Sequence, residues 1–292
     1  MVSRITGAAV ALVCAAALCA CAGPDQQPLP TASELPEPTV STVSASAPAR
    51  VSSSSVAPPE APLQLLLDDI VADITALYGG TIGIAVAGAD GVTMAGLDAP
   101  SPAWSTIKVP IAIAALRANP GLYADAQAAL TVSDNDAAAR LYDAVGPDAV
   151  NQVLAEMGAG AQVNTVLTRP GFSTFGQTML TTGQEAVMAG QLACVPGAAD
   201  VLALMRQVDA SQAYGLGTTG DAAYKGGWGP DEAGMYTTRQ FGLMPRGDGT
   251  VAAVAITALP ADGSYGTGQG MLNAAAMALQ EQAGLLPQAA CS

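Results

Sequence analysis

Apolar positions change from a helical to an alternating pattern in the first part of the folded region. Over 61–78 leucine and isoleucine recur every three or four residues, which predicts an amphipathic helix that ends at Gly79. Two short apolar runs, 81–87 and 92–97, follow and predict a β-hairpin. Residues 106–117 are almost entirely apolar, as in a helix that is buried in a protein core.

The rest of the chain contains an all-helical block, then three strands and a last helix. Because strands from both ends of this region can pair, the order predicts an α+β fold, an α/β sandwich. One antiparallel five-stranded sheet would carry the terminal helices on one face. The helical block would pack on the other face as a separate lobe, with a cleft between lobe and sheet. Helices are predicted at 135–144, 147–157, 182–194, 198–208 and 270–284, and strands at 222–227, 236–244 and 251–259.

The first 21 residues have the pattern of a secretory signal peptide. Arg4 supplies the charged region, and 5–20 form an apolar stretch that is too short for a comfortable membrane span. Its end, Leu18-Cys19-Ala20-Cys21, resembles a bacterial lipobox, which predicts lipidation of Cys21. An ordinary cleaved signal, in which the cysteines have no role, is the alternative.

Residues 22–61 are rich in proline, serine, threonine and alanine and lack apolar periodicity. Such a segment cannot bury enough surface to fold, so it predicts a disordered tether. The folded domain would then occupy 62–292. We expect an exported protein, anchored by lipid to the outer face of the cell membrane and facing the cell wall or the periplasm.

Charge and composition exclude several classes of function. The chain has 10 basic and 24 acidic residues, a net charge of −14, which disfavours nucleic acid as a partner. A small molecule or a peptidoglycan-like peptide is the expected partner, and we expect a monomer without cofactor or metal. The chain has no histidine. This excludes a Ser-His-Asp site, a Cys-His site and a histidine-bearing zinc site.

Lysine occurs only at Lys108 and Lys225, although it is normally a common surface residue. Ser105 stands at the start of the buried helix, and Lys108 follows one turn later on the same face. A partly neutral amine there would accept the Ser105 hydroxyl proton. Burial and a second cation, for which Lys225 is the candidate, both favour the neutral form. A serine cap with a snorkelling lysine is the structural alternative.

The motif Ser133-Asp134-Asn135 begins a predicted helix. As part of the same site, Ser133 would pass the proton to a leaving group. Asn135 would hold Lys108 and the substrate through hydrogen bonds. The three residues are also a good helix-capping cluster, which is the structural alternative.

A third motif, Lys225-Gly226-Gly227, lies on a predicted strand, where its glycines permit close approach of another backbone. An extended substrate would lie along this edge, against Gly227 and Trp228. The backbone N–H groups of Ser105 and Trp228 would form an oxyanion hole. Together the three motifs predict a serine acyl-transfer site.

With these motifs the sequence resembles the class A serine β-lactamases and the penicillin-binding D,D-peptidases, whose signatures are S-x-x-K, S-D-N and K-T-G. The resemblance covers essentially 61–282 and includes the order of elements. It implies that Ser105 is the acylated nucleophile, Lys108 its base and Ser133 the proton shuttle.

The same resemblance implies a carboxylate-binding site formed by Lys225 and Arg239. Arg239 ends Tyr236-Thr237-Thr238-Arg239, which is similar to the family's arginine-bearing strand. Two nearby positions depart from the family. Gly226 stands where a hydroxyl helps to bind the carboxylate, and the bulky Trp228 stands at a position that is usually small.

A further departure concerns the activation of water for deacylation. The family has a glutamate two residues after a loop arginine. Arg169 matches that arginine, but Gly171 stands at the position of the glutamate, and no acid occurs between Met157 and Glu185. Efficient hydrolysis of β-lactams is therefore not expected.

Cys194 and Cys291 are the two cysteines of the predicted domain. In an oxidising compartment they would form a disulfide between a mid-domain helix and the C-terminus. Two buried free thiols are the alternative.

The leading interpretation is a serine hydrolase or transferase that forms an acyl-enzyme with a β-lactam or a D-Ala-D-Ala-like amide or ester. The alternative is a catalytically inactive lipoprotein that keeps the fold as a wall-binding or partner-binding module. The intact motif residues favour the enzyme. The missing glutamate and the altered strand favour the module or a changed substrate.

Overall fold

The computed structural model describes residues 62–291. The predicted signal peptide at 1–21, the tether at 22–61 and the lipidation site Cys21 lie outside these residues. Within 62–291 no helix is both long and apolar enough to cross a membrane.

The elements follow one another as helix, hairpin, helical block, three strands and helix. The helices are α1 (Pro62–Tyr78), α2 (Lys108–Ala118), α3 (Tyr123–Thr131), α4 (Asn135–Glu156), α5 (Thr182–Gln191), α6 (Ala199–Met205) and α7 (Tyr265–Glu281). The strands are β1 (Thr81–Gly88), β2 (Gly91–Gly96), β3 (Ser101–Pro102), β4 (Met179–Leu180), β5 (Ala223–Pro230), β6 (Tyr236–Pro245) and β7 (Val251–Leu259).

Five strands form one antiparallel sheet in the order β2-β1-β7-β6-β5, which confirms the predicted sheet. Alternation along the central strands divides the core in two. On one face Ile84 and Val254 belong to the apolar cluster that includes α1 and α7. On the other face Ala85 and Ala253 belong to the cluster that includes the helical lobe. The small alanines let the lobe and α5 approach the sheet closely.

The helical lobe consists of α2, α3, α4 and α6, which pack against one another. Nine consecutive residues of α2, from Lys108 to Leu116, are buried, as the all-apolar pattern predicted. The α+β architecture of sheet, terminal helices and helical lobe is therefore confirmed. The strands β3 and β4 pair in a separate two-stranded ribbon, which the sequence pattern did not predict.

The two helices predicted on either side of Gly146 are confirmed, because the backbone of α4 is non-helical and kinked at that residue, which has φ +73°. Two other helices differ from the prediction. The helix α3 was not predicted, because Asn119 and Pro120 indicated a break that lasts only until Tyr123. The helix α7 begins at Tyr265 rather than at 270, because Ser264 caps it by accepting a hydrogen bond from the backbone N–H of Thr267.

Cys194 and Cys291 form a disulfide with Cα atoms 5.4 Å apart. Cys194 ends the 3₁₀ turn that follows α5, and Cys291 lies at the end of the described chain. The bond therefore ties the C-terminal segment to the centre of the domain.

Candidate active site

Ser105 lies in a 3₁₀ turn, Trp104–Ile107, that leads directly into α2. Trp104 has φ +52°, a left-handed conformation that is unfavourable for a bulky residue. Such strain is maintained only where the surrounding structure imposes it, and it is common at functional sites. The Ser105 side chain faces a cleft of about 360 Å³ between lobe and sheet. Its hydroxyl makes no hydrogen bond with another residue of 62–291.

Gly227 lets the edge strand β5 lie directly against the Ser105 turn. A Cβ atom at this position would stand 2.6 Å from the Ala103 carbonyl oxygen and 2.9 Å from the Ser105 backbone nitrogen. The close approach that the glycines were predicted to permit is therefore between β5 and the backbone of the Ser105 turn. Trp228 lines the cleft, and the contact of Gly227 with substrate stays a prediction. An oxyanion hole formed by Ser105 and Trp228 stays a prediction.

The amine of Lys108 is held by the Ser133 motif. The Lys108 side chain is 1% exposed. Its Nζ donates to the Ser133 carbonyl oxygen at 2.7 Å and to Asn135 Oδ1 at 2.8 Å, and it lies 3.2 Å from the Ser133 hydroxyl oxygen. A neutral amine has two protons and one lone pair. The two carbonyl-type acceptors use the protons, which leaves the lone pair to accept a proton from a hydroxyl.

Lys225 is fully buried behind the cleft. Its Nζ lies 3.0 Å from the Ser133 hydroxyl oxygen and donates to the Gly226 carbonyl oxygen at 2.9 Å. The Ser133 hydroxyl is therefore placed between two amines, on a residue with φ +58°. Lys225 does not line the cleft. The prediction that it binds a substrate carboxylate is corrected, because no part of its side chain is accessible.

Burial lowers the pKa of Lys108 to about 8, and the negative charge of Asp134 acts in the opposite direction. Burial also lowers the pKa of Lys225 well below its usual value, and the neighbouring charge of Lys108 lowers it further. We expected both burial and a charge on Lys225 to lower the pKa of Lys108. Of these two causes, burial accounts for the lowered pKa of Lys108 in the structure.

Ser133-Asp134-Asn135 has both predicted roles, as a helix cap and as part of the site, but on different residues. Asp134 caps α4, since its Oδ1 accepts a hydrogen bond of 2.7 Å from the Ala137 backbone N–H. Ser133 and Asn135 contact the Lys108 amine and line the cleft. The cap thus fixes the two flanking side chains towards Lys108.

Arg239 does not reach the cleft, which corrects its predicted contact with a substrate carboxylate. The side chain is fully buried in an ion pair with Glu185, whose Oε2 lies 2.8 Å from Arg239 Nη2 and 2.9 Å from Nε. Its Nη1 donates to backbone carbonyls of the β3–β4 ribbon, among them Ser101 at 3.0 Å and Leu180 at 3.2 Å. No donor group of Arg239 is left for a ligand.

Glu185, which the sequence analysis did not assign to the site, connects this pair to the serine turn. The Thr106 hydroxyl oxygen lies 2.6 Å from Glu185 Oε1 and 2.7 Å from the Ala103 carbonyl oxygen. Burial raises the pKa of the Glu185 carboxyl, and the charge of Arg239 opposes that shift. The signal that would have indicated Glu185 is Arg239 itself, because an arginine within an apolar strand needs a buried acidic partner.

The loop 168–177 forms one wall of the cleft. The Gln177 side chain organises it, accepting from the Arg169 backbone N–H at 2.9 Å and donating to the Arg169 and Ser173 carbonyls at 3.2 Å each. No sequence signal pointed to Gln177. The Arg169 guanidinium lies 4.7 Å from the Phe172 ring centroid and donates to the Pro230 carbonyl oxygen, which fastens the loop to β5.

Gly171, at the position where the resemblance calls for a glutamate, lines this wall. In the described part of the chain no carboxylate lines the cleft. No group of three or more Cys, Asp or Glu residues suited to a metal ion occurs there either.

No protein-family model and no curated protein sequence matches the chain. Solved β-lactamases match its fold. The extended-spectrum β-lactamase TLA-3 aligns at 13% identity with a TM-score of 0.60, over 74% of this chain and 98% of that chain. The class A β-lactamase from Mycobacterium abscessus aligns at 17% identity with a TM-score of 0.60, over 75% and 99%. A β-lactamase from Sphaerobacter thermophilus aligns at 19% identity with a TM-score of 0.58, over 75% and 98%.

The fold is therefore that of the class A β-lactamases. The resemblance that the three motifs indicated is confirmed at the level of the fold. At identities of 13–19% the likeness establishes the architecture, and the chemistry has to be argued from the cleft.

Replacing Glu185 by alanine should lower the free energy of unfolding by about 3–5 kcal/mol, because the Arg239 charge would remain buried without its partner. Urea denaturation followed by circular dichroism measures this change. The matched control is the exposed ion pair between Arg140 and Asp125, whose side chains are 58% and 26% exposed. Asp125→Ala should cost less than about 1 kcal/mol. Equal losses in the two variants would contradict a special role for the buried pair.

The reactivity of Ser105 should rise with pH. Below a pKa of about 8 the Lys108 amine is mostly protonated and cannot accept the serine proton. The rate of labelling by an uncharged alkyl fluorophosphonate should therefore increase up to about pH 8 and level off above it. Labelling reactions quenched at fixed times, at a series of pH values on both sides of pH 8, measure how the rate depends on pH. A rate that is constant with pH, or that falls as pH rises, would show that neutral Lys108 is not the base.

Proposed function

We propose that the protein is a serine hydrolase or transferase that forms an acyl-enzyme on Ser105. The contact of two buried amines, Lys108 and Lys225, with the Ser133 hydroxyl supports this most strongly. Burial of amines is unfavourable and has to be compensated by hydrogen bonds. A purely structural lobe–sheet contact needs neither lysine, whereas acyl transfer without histidine needs a base and a proton shuttle.

The proposed reaction moves one proton around the Ser105 cleft. Neutral Lys108 takes the hydroxyl proton as the Ser105 oxygen bonds to the carbonyl carbon of the substrate. The oxyanion then collapses, and the bond to the leaving group breaks. Ser133 protonates the leaving atom and is reprotonated by Lys108. Water, or an acceptor amine or alcohol, finally cleaves the acyl–serine ester and restores the free hydroxyl.

Ser105 and Lys108 make no direct hydrogen bond in the free protein. Catalytic hydrogen bonds are often loose before substrate binds and tighten in the complex. The substrates implied by the resemblance are β-lactams and D-Ala-D-Ala-like amides or esters. Relatives of the same fold that are described as β-lactamases support testing these first.

An alkyl fluorophosphonate, and more slowly a fluorescent penicillin, should label the protein covalently at Ser105. Lys108→Ala should abolish labelling because the base is lost. Lys108→Arg should abolish it as well, since a guanidinium stays protonated in proteins. Gel fluorescence measures the labelling, and peptide mass spectrometry identifies the modified residue.

Circular dichroism of both lysine variants is the control for folding. Undiminished labelling of a folded Lys108→Arg variant would show that another group takes the proton. An unlabelled wild-type chain, or an adduct on a different residue, would favour the alternative of a catalytically inactive binding module.

Deacylation should be slow. Positioned general-base catalysis contributes about 10²–10⁴-fold to such a step, and no carboxylate among residues 62–291 lines the cleft. We expect a burst of one equivalent of product per enzyme, followed by a nearly flat steady state. Stopped-flow absorbance with nitrocefin measures both phases. Steady-state turnover of about 10 per second or more, an ordinary enzymatic rate, would contradict this expectation.

Gly171→Glu is the matched gain-of-function variant. A Cβ atom at Gly171 meets no other atom within 4 Å, so the added side chain has space. The backbone φ of +86° makes any side chain there unfavourable by about 1–2 kcal/mol. The steady-state rate should nevertheless rise relative to the burst, because the variant places a carboxylate at the cleft wall.

Export and lipid anchoring through Cys21 are part of the same proposal. The pattern of 1–21 supports export. The disulfide between Cys194 and Cys291 also supports it, since such bonds persist mainly in oxidising compartments. The protein would act as a monomer at the outer face of the membrane.

Cys21→Ser should release the protein from the membrane fraction, because the residue that carries the lipid is lost. Fractionation of cells followed by immunoblotting measures the distribution. Cys19→Ser is the matched control and should leave the protein in membranes. Continued membrane association of the Cys21→Ser chain would contradict lipidation at this residue.

A further inference from the structure

Aromatic residues are concentrated at the cleft. The chain has only 4% aromatic residues. Both of its tryptophans, Trp104 and Trp228, and two of its three phenylalanines, Phe172 and Phe175, line the cleft together with Tyr236. Trp104 and Phe175 are buried and also contribute to packing, whereas Phe172, Trp228 and Tyr236 stay partly exposed at the cleft.

The aromatic rings that line the cleft form two groups. In the first, the Trp104 ring packs against Gly229 of β5, and its centroid lies 5.3 Å from that of Phe172. In the second, Trp228 stacks on Tyr265 at 5.2 Å with an interplanar angle of 24°, and Tyr236 lies 5.9 Å from the same ring. Rings supported in this way are rigid. The partly exposed rings among them offer an apolar surface to a ligand at little cost in side-chain entropy.

Among the described residues, the same surface has no basic side chain with unoccupied N–H groups. Within 62–291, Lys108 is the only basic residue that lines the cleft. Its amine donates hydrogen bonds to the Ser133 carbonyl oxygen and to Asn135 Oδ1. Lys225 is buried behind it, and the Arg239 guanidinium is occupied by Glu185. The Arg169 guanidinium packs over the Phe172 ring and donates to the Pro230 carbonyl oxygen, and Arg169 is not among the residues that line the cleft. A carboxylate entering the cleft would lose water, and the one cation on the lining, Lys108, already contacts Ser133 and Asn135, so its binding is unfavourable.

We propose that the Ser105 cleft selects uncharged esters or thioesters that carry an aromatic or large apolar group, and that it discriminates against a free carboxylate near the scissile bond. This inference rests on the proposed acyl transfer and specifies its substrate class. The partly exposed aromatic rings would hold the apolar part of the substrate while Ser105 attacks the carbonyl carbon. The leaving alcohol or thiol takes up the proton from Ser133.

Four thioesters test the proposal on the full chain. Phenylacetylglycyl thioglycolate has a free carboxylate in its leaving group, and its methyl ester does not; the acetylglycyl pair lacks the aromatic ring. Thiol release with a chromogenic disulfide reagent gives kcat/KM, and fluorophosphonate labelling of Ser105 is measured on the same preparation. The neutral phenylacetyl compound should react about tenfold faster or more than its acid, as expected for an unpaired desolvated charge.

The neutral phenylacetyl compound should also exceed the neutral acetyl compound by about tenfold, a usual discrimination by an apolar contact. Trp228→Ala should reduce this ratio. Tyr123→Ala, which removes an exposed ring on the helical lobe, should leave the ratio unchanged. Ratios of kcat/KM near one in the wild type, or a faster reaction of the acid, would overturn the inference. Labelling of Ser105 by the fluorophosphonate in the same preparation would still support the proposed function. Labelling without thiol release from any thioester would also overturn the inference.

A binding measurement separates the two proposals if Ser105 proves unreactive. Because both tryptophans line the cleft, intrinsic fluorescence reports directly on its occupancy. In Ser105→Ala, phenylacetylglycine methyl ester should bind about tenfold more tightly or more than phenylacetylglycine. Equal affinities, or tighter binding of the acid, would refute the selectivity. A preference for the ester in an unlabelled protein would uphold the selectivity and refute the acyl transfer.

Discussion

The buried ion pair between Glu185 and Arg239 is the constraint on which the position of the serine turn depends. Burial of two charges is unfavourable unless both are saturated with hydrogen bonds. Here backbone carbonyls of the β3–β4 ribbon bind the guanidinium, and the Thr106 hydroxyl binds the carboxylate. The pair therefore joins α5, β6, the ribbon and the turn that carries Ser105. A polar network with a single satisfied geometry locates Ser105 more strictly than apolar packing would.

Several unfavourable local features surround the same cleft. Trp104 and Ser133 have positive φ angles, and two lysine side chains are buried. The Trp104 indole nitrogen is buried without an acceptor in the described part of the chain. The rest of the fold compensates for these features through the buried helix α2, a sheet covered on both faces and a disulfide across the domain. Strain that is concentrated at one cleft and supported from elsewhere is characteristic of a functional site.

Much of this structure could be predicted from the sequence because its signals are local. Periodicity located the five strands of the main sheet and most helices, and the spacing of Ser105 and Lys108 placed two groups one helical turn apart. The helix α3 was missed because a turn at Pro120 looks the same whether or not a helix follows it. The environment of Arg239 was missed for a different reason. Its partner Glu185 is 54 positions away in sequence, and only the tertiary fold brings the two together.

Arg239 also shows why a residue's identity at a family position does not decide its role. The side chain is present where the resemblance expects it, but Glu185 and the backbone carbonyls of the β3–β4 ribbon occupy its donor groups, which gives it a structural role. Under the proposed function, acylation would depend on amines at the junction of lobe and sheet. Recognition of a carboxylate would depend on free cations along the strand, and activation of water on the loop 168–177. Because these three sets of groups lie on different elements, the first can be present without the other two. Such a chain would form an acyl-enzyme, and its aromatic cleft would determine which carbonyl compounds reach Ser105.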